Sequence, residues 1–210
     1  MKILNLYSGI GGNRKLWGDE HEITAVEIDP EVAKIYQKYF PNDRTIVGDA
    51  HKYLLDHYKE FDFIWASPPC PTHSKARKQL AVKSWGIQNK PVYPDMGLYQ
   101  EILLLQGYFD GKYCVENVVG WYDPLIRPVE ANSHYFWTNF IINAMPKISR
   151  GHDLSVQDLA INKGFDINTI NGVDKRKALR NCVHPKTGLY ILNCAQNIIT
   201  KQNEKQIDLF

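Results

Sequence analysis

The first 118 residues alternate between two hydrophobic periods, and this alternation limits the fold more than any other feature of the chain. Short apolar runs occur at Ile3 to Tyr7, Glu22 to Glu27, Thr45 to Val47, Phe61 to Ala66 and Tyr113 to Val118. Segments with helical spacing lie between them. In Pro30 to Phe40, the residues Val32, Ile35, Tyr36 and Tyr39 recur at the interval of one helix face, and Pro30 suits a first helical turn. His51 to Tyr58 and Met96 to Phe109 read as further helices, and one is expected to start near Asn13. Strands separated by helices pair in parallel, because the helix makes each return crossing. The expected fold class is therefore α/β, a doubly wound, mostly parallel sheet.

The rhythm weakens after residue 118. His134 to Ile142 reads as a strand, and Leu154 to Lys163 as a helix closed by Gly164. Arg176 to Arg180 reads as a basic turn and Leu189 to Thr200 as a terminal helix. With 210 residues, of which 44% are hydrophobic, the chain supports one sizeable core and wholesale disorder is excluded. The formal net charge of +2 neither demands nor forbids a nucleic-acid partner, so local charge must decide. No apolar run approaches the roughly 18 residues a membrane span needs, so no membrane partner is expected. The N-terminus lacks the parts of a signal peptide, and a cytoplasmic protein is expected. Cys70, Cys114, Cys182 and Cys194 are far apart with no CxxC spacing, so no metal site is expected and the four read as thiols.

The chemistry-bearing residues fall at the ends of the apolar runs. Tyr7-Ser8-Gly9-Ile10-Gly11-Gly12 follows the first run. Closely spaced glycines let backbone approach a ligand, although the same residues also suit a plain tight turn. Glu27 ends the second run, where a carboxylate can accept hydrogen bonds from both hydroxyls of a ribose. Asp49, in Gly48-Asp49-Ala50, ends the third and can take an adenine amino group. Together these describe an adenosine-type pocket at the carboxyl edge of a sheet. The fourth run ends in Ala66-Ser67-Pro68-Pro69-Cys70-Pro71. Prolines stiffen that turn, so Cys70 reads as a fixed nucleophile or else as a small buried hydrophobe. Glu116, in Glu116-Asn117-Val118, ends the fifth. If burial protonates it, it can donate to a ring nitrogen; otherwise it is a capping or salt-bridged acid. Pro71 to Pro94 is a polar, basic stretch that breaks the rhythm and reads as a long functional loop.

In this order these residues resemble the cytosine-C5 DNA methyltransferases, in a small bacterial or phage form. Tyr135-Phe136-Trp137 resembles a later motif as the eukaryotic de novo enzymes carry it, and Arg180-Asn181-Cys182-Val183 resembles the closing motif. The resemblance implies a Rossmann-like fold dependent on S-adenosyl-L-methionine, with double-stranded DNA as partner, as in restriction-modification. It implies that a cytosine is flipped into a pocket, that Cys70 attacks ring carbon 6, and that carbon 5 takes the methyl group. Glu116 would hold the ring, with His134 beside it. Tyr7, Ser8, Gly9, Gly11 and Gly12 would line the methionine side of the cofactor. Glu27 with Ile28 would take the ribose, Asp49 with Ala50 the adenine, Pro69 and Leu98 the apolar walls, and Asn181 and Cys182 the closing contacts. The basic loop would be the mobile catalytic loop. Ser74, Lys75, Arg77, Lys78 and Lys83, together with Arg176, would contact DNA. Residues 1–137 and 175–200 would form the catalytic domain, 138–174 a minimal target-recognition segment and 201–210 a flexible tail.

The sequence departs from the family in three places. Pro71 stands where the bacterial family has Gln, and Gly97 where many relatives have Arg. Asn132 and His134 occupy the positions of two arginines, for which Arg127 or Arg180 can substitute. The short 138–174 segment offers few groups for reading bases: Lys147, Arg150, His152, Gln157, Asn162 and Lys163. A short site, a homodimer sharing the DNA or a separate specificity partner would each answer that. Three other functions stay open: an amino methyltransferase acting on cytosine N4 or adenine N6, a non-catalytic DNA-binding or regulatory subunit, and modification of RNA or a free nucleotide.

Overall fold

The computed structural model describes residues 1–75, 93–148 and 154–198. Among these, seven strands form one sheet in the order β3-β2-β1-β4-β5-β7-β6. The strands are β1 (Lys2–Leu6), β2 (Glu22–Glu27), β3 (Arg44–Val47), β4 (Phe63–Ala66), β5 (Lys112–Val118), β6 (Val129–Ala131) and β7 (His134–Thr138). The first five are parallel to one another. β7 runs antiparallel to β5 and forms a hairpin with β6. The helices are α1 (Pro30–Tyr39), α2 (Ala50–His57), α3 (Gly97–Tyr108), α4 (Val156–Asn162), α5 (Lys175–Asn181) and α6 (Pro185–Ala195).

Strand alternation divides the core between the two faces of the sheet. Leu4, Leu6, Ile64, Ala66, Tyr113 and Val115 point to the face covered by α2 and α3, where they meet Leu54, Leu98, Ile102 and Leu105. Ile3, Phe63, Trp65 and Cys114 point to the other face, covered by Trp17 and by Ile191 and Leu192 of α6. A third cluster joins Ile10 and Ile35 to Leu159 of α4 and Leu179 of α5. None of the helices among the described residues is long and apolar enough to cross a membrane.

The five parallel strands, the two flanking layers and helices α1, α2 and α3 stand where the hydrophobic periods placed them. Four expectations need correction. Only a 3-10 turn, Arg14–Leu16, follows the glycine turn in place of a helix from Asn13. Asn13 instead pairs with Asn5 inside the core, its amide donating to Asn5 Oδ1 at 2.7 Å. Arg14 is drawn into a buried ion pair with Asp43, Nε to Oδ2 at 2.9 Å. The basic segment Arg176 to Arg180 is helical, within α5, because the Asp174 side chain caps the Lys177 amide. The terminal helix starts at Pro185 and not at Leu189, because His184 caps it and Pro185 fills its first turn. The strand expected to reach Ile142 ends at Thr138, whose hydroxyl donates to the Phe140 carbonyl and turns the chain away. The expected tail 201–210 lies outside the described residues.

Candidate functional site

The parallel strands all end at one edge, and β7, running the opposite way, starts there: His134 pairs in register with Val118. In an open α/β sheet this edge is the ligand crevice, next to the point where the strand order reverses, here between β1 and β4. Tyr7 to Gly12, Glu27, Asp49, the Pro-Pro-Cys turn, Glu116 and His134 therefore converge on one edge.

The glycine arm is built largely from backbone. The amide of Gly9 donates to Glu27 Oε2 at 2.9 Å, and the amide of Asp29 donates to Oε1 at 3.0 Å. Glu27 thus fixes the glycine turn and the start of α1, with the remaining lone pairs of both oxygens left for a ligand. Gly9 has φ +54°, and the position of a Cβ there meets no atom within 4 Å, so the turn faces open space. Gly12 has the opposite surroundings. A Cβ there would lie 2.2 Å from the Val183 carbonyl oxygen and 2.9 Å from Cys182 Cβ. The closing segment is thus seated directly on the turn. Ser8 is buried, and its hydroxyl has no partner among the described residues. Asp49 caps α2 by accepting from the Lys52 amide at 3.1 Å. Ile28, Pro69 and Asn181 are exposed, whereas Ala50, Leu98 and Cys182 pack in the core. A turn open at Gly9, an idle buried hydroxyl and two carboxylates at the strand ends fit an adenosine-bearing cofactor.

The second arm is built by side chains. Asn117 donates from Nδ2 to the Pro68 carbonyl at 3.0 Å, tying the Pro-Pro-Cys turn to β5. Cys70 is half-buried, and its own carbonyl accepts from the amides of His73 and Ser74, each at 3.0 Å. Beyond it, Trp121 donates from its indole to the Thr72 carbonyl at 2.9 Å, and Ser74 bridges to Gly120. His73 is buried with Nδ1 2.6 Å from the Tyr122 hydroxyl. Glu116 is 6% exposed. Its Oε2 accepts from the Ser67 hydroxyl at 2.8 Å, and Ser67 accepts in turn from the Trp65 indole at 2.8 Å. Its other oxygen lies 3.7 Å from His134 Nε2. Burial pushes the Cys70 thiol above its ordinary value, and the charge of Glu116 pushes it further.

The residues predicted to contact DNA are divided. Ser74 is partly exposed; Lys75 and Arg176 are exposed. Arg77, Lys78 and Lys83, with most of the basic loop, lie outside the described residues, as do Arg150 and His152. Arg176 also donates to the Leu154 carbonyl at 3.4 Å. Sequence reasoning missed the supporting residues: Ser67, His73, Glu101, Asn117, Trp121 and Tyr122. Ser67 was within reach, since strand alternation puts it on the same face as Trp65.

The reversed strand between β5 and β6, with the predicted site residues along the carboxyl edge, defines a Rossmann-like α/β fold. Residues 1–85 match the family model of the C-5 cytosine-specific DNA methylases. No curated protein matches the chain. Among solved structures, it is similar to a mutant of Spodoptera frugiperda DNMT2, at 28% identity and a TM-score of 0.36 over 56% of this chain and 35% of that one. It is also similar to a TehB-like SAM-dependent methyltransferase from Corynebacterium glutamicum, at 20% identity and a TM-score of 0.36 over 58% of each chain. A hypothetical protein of Thermus thermophilus is similar at 17% identity and a TM-score of 0.43, over 65% of this chain and 73% of that one.

Proposed function

We propose that the protein is a DNA cytosine-5 methyltransferase that acts through a covalent adduct of Cys70 and takes S-adenosyl-L-methionine as its cofactor. The observation that carries this reading is the lock between the Pro-Pro-Cys turn and β5. The Asn117–Pro68 bond sets the nucleophile turn beside the strand that bears Glu116. The bound cofactor supplies an electrophilic methyl group at the sheet edge. Tyr7, Ser8, Gly9, Gly11 and Gly12 line its methionine side. Glu27 and Ile28 receive the ribose and Asp49 and Ala50 the adenine, with Pro69, Leu98, Asn181 and Cys182 completing the walls.

The substrate cytosine must leave the base stack before its ring carbons can be reached. The Cys70 thiolate adds to carbon 6, and the electron pair displaced onto the ring makes carbon 5 nucleophilic. Glu116, steered by Ser67, holds the ring nitrogen and amine as charge develops there, and His134 stands beside it in place of an arginine. Once carbon 5 carries the methyl group it loses its proton to a base, the carbon 6–sulfur bond breaks, and Cys70 is restored. Because the free thiol is raised, cations of the basic loop are expected to assist its ionisation. Residues 1–137 and 175–200 act as the catalytic domain. The 138–174 segment serves recognition through an open groove of about 650 Å³ lined by Asn132, Ser133, Asn143 and Lys147, next to His134. Ser74, Lys75, Arg77, Lys78, Lys83 and Arg176 hold phosphates of double-stranded DNA, and a homodimer or separate partner extends the site.

Duplex DNA containing 5-fluorocytosine tests this. With cofactor present it is expected to form a denaturation-resistant complex with the protein, and Cys70→Ala to form none. Methyl transfer to cytosine without such a complex would refute the adduct and favour an amino methyltransferase. Cofactor binding without any transfer would favour a regulatory subunit.

A further inference from the structure

A buried acid joins the two turns of the proposed cofactor arm. Glu101, on α3, has no solvent exposure. Its Oε1 accepts the hydroxyl of Tyr7 and lies 3.0 Å from Nδ1 of His51. Its Oε2 is buried and has no partner among the described residues. Burial pushes the carboxyl group upward, while the contacts from Tyr7 and His51 pull it back. Burial and the charge of Glu101 also hold the Tyr7 phenol far above its ordinary value, so Tyr7 remains a donor.

Stability alone does not account for this arrangement, because a buried acid with one idle oxygen is destabilising. Its two partners point to a different purpose. Tyr7 opens the glycine turn with φ +56°, a left-handed backbone that side chains other than glycine adopt only when something holds them there. His51 follows Asp49 and Ala50 at the start of α2. One carboxyl oxygen therefore ties the turn proposed for the methionine side to the turn proposed for the adenine side.

We infer that Glu101 is a positioning residue for S-adenosyl-L-methionine, holding Tyr7 and the Asp49 turn at the separation that the adenosine group requires. The free chain then presents a formed pocket, and less ordering remains to be done on binding. This inference rests on the cofactor reading of the glycine arm.

The test is calorimetric titration of S-adenosyl-L-methionine into the full chain without DNA. The double variant Tyr7→Phe/Glu101→Met removes donor and acceptor together and frees only His51, which is partly exposed and can turn to water, so the fold stays stable. It is expected to melt close to wild type yet bind the cofactor about tenfold more weakly, because the pocket must now be ordered by the ligand. Glu101→Gln, which keeps an acceptor for Tyr7, is expected to retain most of the affinity. Tyr7→Phe alone serves if the double variant does not fold, with a loss of about three- to tenfold expected from the missing tether. Wild-type affinity in the double variant, or in Tyr7→Phe in that event, overturns the inference while leaving the pocket reading intact. A wild-type chain that does not bind the cofactor overturns the pocket reading itself.

Discussion

The glycine arm and the cysteine arm share one sheet edge but are assembled by different means. At the glycine arm, main-chain amides do most of the holding. Gly9 and Asp29 both donate to Glu27, and Gly12 lies against the Val183 carbonyl with no room for a side chain. A buried ion pair, Arg14 with Asp43, stands behind it, and the Tyr36 hydroxyl also donates to Asp43 at 2.7 Å. The cysteine arm is held by side chains reaching across from neighbouring segments: Asn117 to Pro68, Ser67 to Glu116 and Trp121 to Thr72. A backbone-built site tolerates little change of shape. A site built by side chains can be tuned one group at a time. Binding and chemistry should therefore respond differently to substitution.

Asp43→Ala is expected to break that contrast most severely. It leaves the buried Arg14 guanidinium without its main partner, at a cost of about 3–5 kcal/mol. Urea denaturation should show a large drop in midpoint, and cofactor binding should fall with it. A loss below about 1 kcal/mol, typical of a surface pair, would mean that Asp19 or water compensates.

Gly12→Ala is the next largest. The new methyl would overlap the Val183 oxygen, and pushing the closing segment away is expected to cost about 1–3 kcal/mol. Thermal melting with and without S-adenosyl-L-methionine measures it. The variant should melt earlier and gain less from the ligand, whereas DNA trapping at saturating cofactor should survive.

The smallest effect concerns the cysteine arm alone. A thiol held above its ordinary value is neutral at pH 7 and gains thiolate as the pH rises, so alkylation of Cys70 by iodoacetamide should accelerate through the alkaline range. Glu116→Gln removes the second cause of the shift and should move that profile to lower pH. Peptide mapping by mass spectrometry distinguishes Cys70 from the buried cysteines. An unchanged profile would mean that burial alone sets the thiol.

The sequence made the glycine arm easier to foresee than the cysteine arm, for a physical reason. Apolar runs ending in glycine or an acid announce parallel strands and their edge directly, because strand burial and turn geometry are local demands. Cys70 and Glu116 were visible the same way. What holds them was not, since Asn117, Trp121 and Tyr122 act through contacts that only the folded sheet creates. Glu101 sits among the apolar residues of α3, and nothing in its own neighbourhood marks it as the partner of Tyr7. The missing helix after the glycine turn has a similar cause, because Asn5, Asp43 and α6 claim Asn13 and Arg14 first. The β6 strand is short and partly polar, and owes its form to pairing with β7. The misread α5 and α6 boundaries were avoidable, as Asp174 and the His184-Pro185 pair are ordinary helix-start signals.

Gly12 touches Val183, and Gly188 packs against Asn13 so closely that a Cβ there would lie 2.1 Å from its carbonyl oxygen. Synthesis on the ribosome delivers these partners in sequence, with the glycine turn emerging first and its far wall more than a hundred residues later. Until that wall arrives, a nascent chain holds the turn with one side uncovered.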